Sequence, residues 1–209
     1  MDLRAINPRD VTLIMPASGL SRRFGEPDKL TAMLSGRAVA AYAARRAASL
    51  NFARLIAVVP SIRGALADIF FNAGFELTVN EHAHRGQLSS LACAAAYIDA
   101  KNYQPANLCI MLADMPLIPR FHIEKLLANA GPRVTKTRYK THSQPPVIFR
   151  GKAARRWIDA VQSGGKNPAA ANAEDDQYVD LADPFGDDID TVDDLMRIQA
   201  YLRLKPMGD

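Results

Sequence analysis

The chain is poor in cysteine, has no long apolar run and carries no large surplus of either charge, and each lack removes a class of protein. Two cysteines in 209 residues cannot build a disulfide framework. Cys93 lies in an Ala-rich apolar segment and Cys109 in a core-like run, so both read as free, buried thiols. No apolar stretch approaches the roughly 18 residues a membrane span needs. Met1-Asp2-Leu3-Arg4 is followed by no secretory apolar region, so the expected location is the cytoplasm, with no membrane partner. Lysine and arginine number 26 against 22 aspartates and glutamates, a net charge of +4 that suits small anions without demanding them. No zinc finger, aromatic-studded RNA-binding strand or long basic arm is present, which argues against a nucleic-acid partner.

What is there is an alternation of short apolar runs with helical patterns. At 209 residues the chain suffices for one sizeable core and is short for two, and no linker or internal repeat divides it, so one domain over 1–209 is expected. Strands are predicted at Val11–Met15, Leu55–Val59, Glu76–Val79, Leu108–Leu112 and Val147–Phe149, with a short one near Tyr178–Asp180 in an otherwise irregular stretch, Asn167–Asp188. Helices are predicted at Arg37–Leu50, Ile62–Asn72, Leu88–Asp99, Phe121–Asn129 (closed by Gly131) and Lys152–Gln162, which ends at Gly164-Gly165. Thr191–Leu204 is the last, with Thr191 as N-cap and Asp194 completing a capping box. This order signals an α/β fold with a mostly parallel sheet.

Three places carry chemistry. The first strand runs into Pro16-Ala17-Ser18-Gly19-Leu20-Ser21-Arg22-Arg23-Phe24-Gly25, with Lys29 four residues on. A strand, a Gly-containing loop and a basic helix start let backbone amides and fixed cations bind phosphate. The loop is neither a Walker P-loop nor a dinucleotide fingerprint, since it lacks both Gly-Lys-Ser/Thr and G-x-G. Taken alone it is an anion-binding turn or a surface turn with incidental arginines. The second place is Ala113-Asp114-Met115-Pro116, just past a core strand, where α/β sheets bind ligands. The third is Asp187-Asp188-Ile189-Asp190-Thr191 before the last helix, where Asp190 either caps the helix or joins a site. Asn80, Gly86 and Ser90 mark a turn and helix start after the third strand, and alone they read equally as a plain turn and cap.

Taken in order, these segments resemble one family. Leu13 to Lys29 resembles the L-A-A-G-x-S-x-R-M-G-x-x-(x)-K signature of the nucleotidylyltransferases that attach CMP or GMP to molybdopterin. Asp114-Met115-Pro116 resembles their D-M/Q-P motif, Asp188 to Asp194 their D-I-D-T-P-E-D, and Asn80, Gly86 and Ser90 their N-x(5)-G-x(3)-S. The resemblance implies a MobA-like domain with the three-layer, mostly parallel, Rossmann-like sheet of the nucleotide-diphospho-sugar transferase type. It implies Arg22, Lys29 and Asp114 as catalytic residues, with Mg²⁺ held by Asp114 and Asp190. Pro16, Ala17, Ser18, Gly19, Ser21, Arg22, Gly25, Lys29, Asn80, Gly86 and Ser90 would bind the nucleotide.

Ser18 stands where the family has Ala or Gly, and Phe24 where it has Met. Pro16-Ala17-Ser18-Gly19 is nearer the cytidylyl enzymes' P/T-A-A-G than the guanylyl L-A-G-G, which favours CTP, although the Gly25–Lys29 spacing also occurs in the guanylyl group. The implied acceptor is molybdopterin, and a molybdoenzyme or its chaperone is an implied partner. A guanylyl or sugar-phosphate enzyme and a non-catalytic molybdopterin carrier are the alternatives.

Two further patterns have competing readings. His82 and His84 are a metal pair only if a third ligand joins them; otherwise they are loop or substrate-contact residues. His122 falls at a helix start with no special role. Lys136, Arg138, Lys140 and His142 would share one face of an extended segment, about 7 Å apart. That ladder is either the charged guard of an edge strand or a clamp for the acceptor's phosphate.

Overall fold

The computed structural model describes residues 5–19, 21, 23–25, 28–164 and 174–205. Nine strands and six helices occur among them: β1 (Val11–Pro16), β2 (Met33–Leu34), β3 (Arg37–Ala38), α1 (Val39–Ala48), β4 (Arg54–Val59), α2 (Ala65–Asn72), β5 (Glu76–Val79), α3 (Gln87–Ala100), β6 (Asn107–Ile110), α4 (Arg120–Ala128), β7 (Val134–Tyr139), β8 (His142–Arg150), α5 (Lys152–Gln162), β9 (Gln177–Leu181) and α6 (Val192–Leu204). Seven strands form one sheet in the order β5-β4-β1-β6-β8-β7-β9, and β8 alone runs against the rest. This is the expected three-layer, mostly parallel architecture.

The layers follow from side-chain periodicity. Along β1, Val11, Leu13 and Met15 enter one core while Ile14 enters the other. On one face of the sheet α1 lays down Ala40, Ala43, Ala44 and Ala47, and α2 adds Phe70. Small alanines let α1 approach closely, and Phe70 fills the volume they leave. On the other face α3 contributes Leu91, Ala94, Ala95 and Ile98, and α5 contributes Ala154, Trp157, Ile158 and Val161. Both sets repeat at i, i+3, i+4, i+7, the apolar stripe of a helix on a sheet. Each large side chain so buried stabilises the fold by roughly 1.5–3 kcal/mol. A third, smaller core joins α6, through Ile198 and Leu202, to Phe24, Leu34, Leu117 and Ile189.

Several boundaries differ from expectation for local reasons. The helix predicted from Arg37 begins at Val39, because Ser35 and Gly36, both at positive φ, fold Leu34 back on Arg37 as a two-residue hairpin. The second helix begins at Ala65 because Gly64, at φ 98°, precedes it. Gly131 is not a left-handed cap for α4. A Cβ there would meet Gln177 Cγ at 2.7 Å, so the glycine makes room for β9. Gly165 and 167–173 of the predicted irregular stretch lie outside the described residues. Cys109 is buried as expected, and burial pushes its thiol up to about 12, whereas Cys93 is only half-buried; both are free.

The basic ladder is not on an edge. β7 is flanked by β8 and β9, and each cation has a carboxylate partner: Lys136–Asp176 at 2.9 Å, Arg138–Asp180 at 2.6 Å and Lys140–Asp183 at 3.1 Å. Lys136 and Asp176 are both 2 % exposed in their side chains. The cations therefore bind the last strand of the sheet, which corrects the edge-guard reading.

Candidate active site

The segments that follow β1, β5, β6 and β9 converge on one cleft of about 500 Å³. Its first wall is the loop leaving β1, whose start is fixed when Ala17 N–H donates to Val58 O of β4 (2.8 Å). Asp28 folds the far end of that loop back, accepting from Ser21 Oγ (2.9 Å) and from Leu30 N–H (2.8 Å). Phe24, in place of the motif's Met, drops into the third core against α6 and anchors the middle. The described residues of the loop are thereby held at both ends and near its centre.

The floor brings together residues 161 positions apart. Lys29 Nζ donates to Asp114 Oδ2 (2.5 Å) and to Asp190 Oδ1 (2.9 Å). Two local devices put Asp190 there. Ile189 N–H donates to Asp114 O (2.9 Å) while its side chain is fully buried, which stitches the segment before α6 to the end of β6. Thr191 takes the N-cap, and Asp194 closes the capping box, so Asp190 is released from capping and reaches Lys29.

Charge at the floor is unbalanced. Burial works to lower the Lys29 pKa, but the charges of Asp114 and Asp190 and their hydrogen bonds outweigh it, and the ammonium is held above its usual value. Asp188 lies in the same cleft, solvent-accessible yet surrounded by protein. Burial and the neighbouring Asp190 and Asp114 charges raise its carboxyl above the ordinary range. Asp114 Oδ1 is buried and accepts no hydrogen bond from the described residues. Three carboxylates, Asp114, Asp188 and Asp190, thus face two cations, Lys29 and Arg23, among the described lining residues.

An orphaned buried carboxylate oxygen beside a second carboxylate fits a hard divalent cation, which binds through one or two carboxylates and completes its shell with water and phosphate. Among the described residues no three His, Cys, Asp or Glu side chains form a metal cluster, and His82 and His84 meet only edge to face at 6.0 Å. Substrate oxygens would have to supply the remaining ligands.

The opposite wall is the turn before α3. Gly86, at φ 89°, ends a 3-10 turn and turns the chain into the helix. Gly86, Ser90, His84 and Gln87 line the cleft there. Of the residues expected at the site, Pro16, Ala17, Gly19, Ser21 and Lys29 also line it, as do Asp114 and Asp190. Ser18 and Asn80 do not; they are buried behind the walls, 1 % and 5 % exposed. Gly25 is exposed beside the cleft rather than in it, and Arg22 lies outside the described residues. Arg23 is the arginine seen at the cleft, its Nη2 2.6 Å from Asp190 Oδ2. The sequence held that signal: with Phe24-Gly25 at the motif's M-G, its arginine falls on Arg23. His84, read from the sequence as a loop or substrate-contact residue, lines the cleft, and so does Asp188 of the D-I-D-T resemblance; Gln87 carried no sequence signal.

The stretch from residue 13 to 176 matches the family model of the MobA-like NTP transferase domain. The chain belongs to that family. No curated protein matches it. Among solved structures, this MobA-like chain is similar to a homologue of Mycobacterium tuberculosis Rv0371c from Mycobacterium sp. strain JC1, at 21% identity and TM-score 0.72 over 97% of this chain and 100% of that one. It is also similar to Rv0371c of M. tuberculosis H37Rv in complex with manganese (16% identity, TM-score 0.68, 91% and 98% covered). A third is molybdopterin-guanine dinucleotide biosynthesis protein A from Archaeoglobus fulgidus (16%, TM-score 0.64, 92% and 99%). At these identities the likeness shows the fold. Among the described residues no helix is long and apolar enough to cross a membrane.

Proposed function

We propose that the protein transfers CMP from CTP to the terminal phosphate of molybdopterin and releases pyrophosphate. The observation that carries this reading is the Lys29–Asp114–Asp190 cluster, with its orphaned carboxylate oxygen, on the floor of a loop-walled cleft. In the reaction an oxygen of the acceptor phosphate forms a bond to the α-phosphorus. The bond from that phosphorus to the bridging oxygen breaks, and pyrophosphate departs with the electron pair. The acceptor is already anionic, so no strong general base is required, and positioning with charge neutralisation supplies most of the acceleration.

Each residue then has a task. Backbone amides of the β1 loop, those of Gly19 and Ser21 at the cleft, grip the triphosphate. Lys29, held protonated by its two aspartates, sits where charge grows on the phosphoryl oxygens. Arg23 is exposed and able to swing from Asp190 to phosphate, the role the sequence had assigned to Arg22. Asp114 and Asp190 would hold Mg²⁺ or a similar divalent ion. Such an ion would supply positive charge that offsets the phosphates and favours attack at the α-phosphorus. Gly86 and Ser90 lie where the base and sugar would rest.

The choice of CTP is supported by position 18. Ser18 stands where the guanylyl enzymes carry a second glycine, and its hydroxyl meets Ser90 at the start of α3, the wall proposed to face the base. Purified protein with Mg²⁺, molybdopterin and each nucleoside triphosphate, assayed for pyrophosphate, tests the proposal. Release with CTP is expected. Release with GTP alone would overturn the base assignment and leave the reaction class standing. Acceptor binding without turnover on any triphosphate would make the protein a carrier.

A further inference from the structure

Asn80 closes β5, and its backbone N–H donates to Val59 O of β4 (3.0 Å), so it is fixed to the end of the sheet. Its side chain is the hub of a polar network between the cleft's two walls. Asn80 Oδ1 accepts from His82 N–H (3.0 Å) and thereby holds the turn that precedes α3. Asn80 Nδ2 lies 3.1 Å from Ser18 Oγ, 2.9 Å from Ser89 Oγ and 3.2 Å from Ser90 Oγ, sharing two hydrogens among three acceptors. Ser18 and Ser90 also meet directly, Oγ to Oγ at 2.6 Å. Ser89 Oγ is turned toward Gly86 O (2.7 Å) and His82 O (3.0 Å). Asn80, Ser18 and Ser90 are all at most 5 % exposed, and neither Asn80 nor Ser18 lines the cleft. No ligand in the cleft can reach the Asn80 amide without dismantling this network.

We propose that Asn80 is a positioning residue, which ties the β1 loop to the first turn of α3 through Ser18 and Ser90 and so sets the spacing between the phosphate-gripping and base-facing walls. The inference rests on the reading that the cleft takes a nucleoside triphosphate. A ligand bridging two walls gains from their preset separation, as any two linked binding modules gain from an effective concentration. A ligand that touches one wall gains nothing from it. A buried network with every polar atom engaged is suited to this, because shifting one wall breaks several bonds at once.

The test compares a whole ligand with its halves. Binding of CTP, tripolyphosphate and cytidine, each with Mg²⁺, is measured by calorimetry on wild type, Asn80→Ala and Ser18→Ala. The expectation is that Asn80→Ala weakens CTP roughly tenfold while tripolyphosphate and cytidine change by less than about twofold, since only joint binding depends on spacing. Ser18→Ala should give a smaller loss of the same pattern and add little in the Asn80→Ala background. Equal losses for CTP and tripolyphosphate would assign Asn80 to the phosphate loop itself, and unchanged CTP affinity would remove its role; either result overturns the proposal. If Asn80→Ala does not fold, the same comparison on Ser18→Ala decides, because that change removes a single buried oxygen. Wild type binding none of the four nucleoside triphosphates would overturn the nucleotide reading, and the spacing role with it, whereas wild-type binding that survives Asn80→Ala intact overturns the spacing role alone.

Discussion

Two clusters of lysine, arginine and aspartate in this protein use the same chemistry to opposite ends. Along β7, β9 and the residues that flank them, every cation has a carboxylate partner: Lys136 with Asp176, Arg138 with Asp180, Lys140 with Asp183 and Asp187. The pairs repeat along two neighbouring parallel strands and help fix their register, with Arg138 opposite Asp180. In the cleft, among the described residues, Lys29 serves both Asp114 and Asp190, Arg23 also reaches Asp190, and the third carboxylate, Asp188, has no cation of its own. A matched set stabilises a fold, and an unmatched set attracts what would match it. That difference, rather than the presence of charge, separates the structural cluster from the candidate active site.

The comparison breaks most sharply at Asp114. Asp114→Asn should lower nucleotidyl transfer by about a thousandfold, the scale of losing a charged group that acts on the transition state. The melting temperature should change little, since Lys29 keeps Asp190 and one of three crowded carboxylate charges is removed. Loss of stability in parallel with activity would make the cleft cluster structural after all. Lys136→Met should do the reverse. Stripping one partner from a buried ion pair costs about 3 kcal/mol or more, seen as a lower denaturation midpoint, while turnover per folded molecule is unchanged. The double variant Lys136→Met, Asp176→Leu should recover much of the loss.

His122 sharpens the contrast between burial with and without charge. It is 1 % exposed, and its Nε2 lies 2.9 Å from Thr137 Oγ1, which itself donates to Pro146 O (2.8 Å). The ring therefore donates to Thr137 and is neutral, and burial together with nearby Lys125 pushes its pKa down to about 4. With the folded value below the unfolded 6.5, its contribution is complete above pH 6.5 and is lost as pH falls toward 4, on the order of 2–3 kcal/mol in all. Denaturation midpoints followed from pH 7 to 4.5 should fall more steeply for wild type than for His122→Gln. The smallest effect belongs to Arg138→Gln. Its pair is exposed, so the denaturation midpoint should hardly move, and a clear drop would mean that the ladder is more cooperative than its pairs suggest.

How much of this the sequence held varies by feature. The β1-loop residues, Asp114 and Asp190 were legible as candidates because the first two follow core strands and the third precedes a capped helix. The Asp190 ambiguity between capping and site was resolved by Thr191, whose capping box the sequence did show. What could not be read was lateral. Whether Lys136 guards an edge depends on β9, a strand some forty residues on, lying beside it. The hairpin at Ser35-Gly36 was hidden by the alanines that follow it. Ser18 and Asn80 looked like ligand contacts because motif position does not reveal which way a side chain turns; in the fold they face each other.

The account's central claim is that the cleft carries unbalanced negative charge for a metal–triphosphate ligand. The most direct test is calorimetric titration of CTP into the protein with Mg²⁺ and again with the metal chelated. The account predicts one binding event per chain with Mg²⁺ that is lost or weakened at least tenfold without it, as the triphosphate then meets Asp114, Asp188 and Asp190 uncompensated. Equal affinity under both conditions, or no binding of any triphosphate with Mg²⁺, would contradict it.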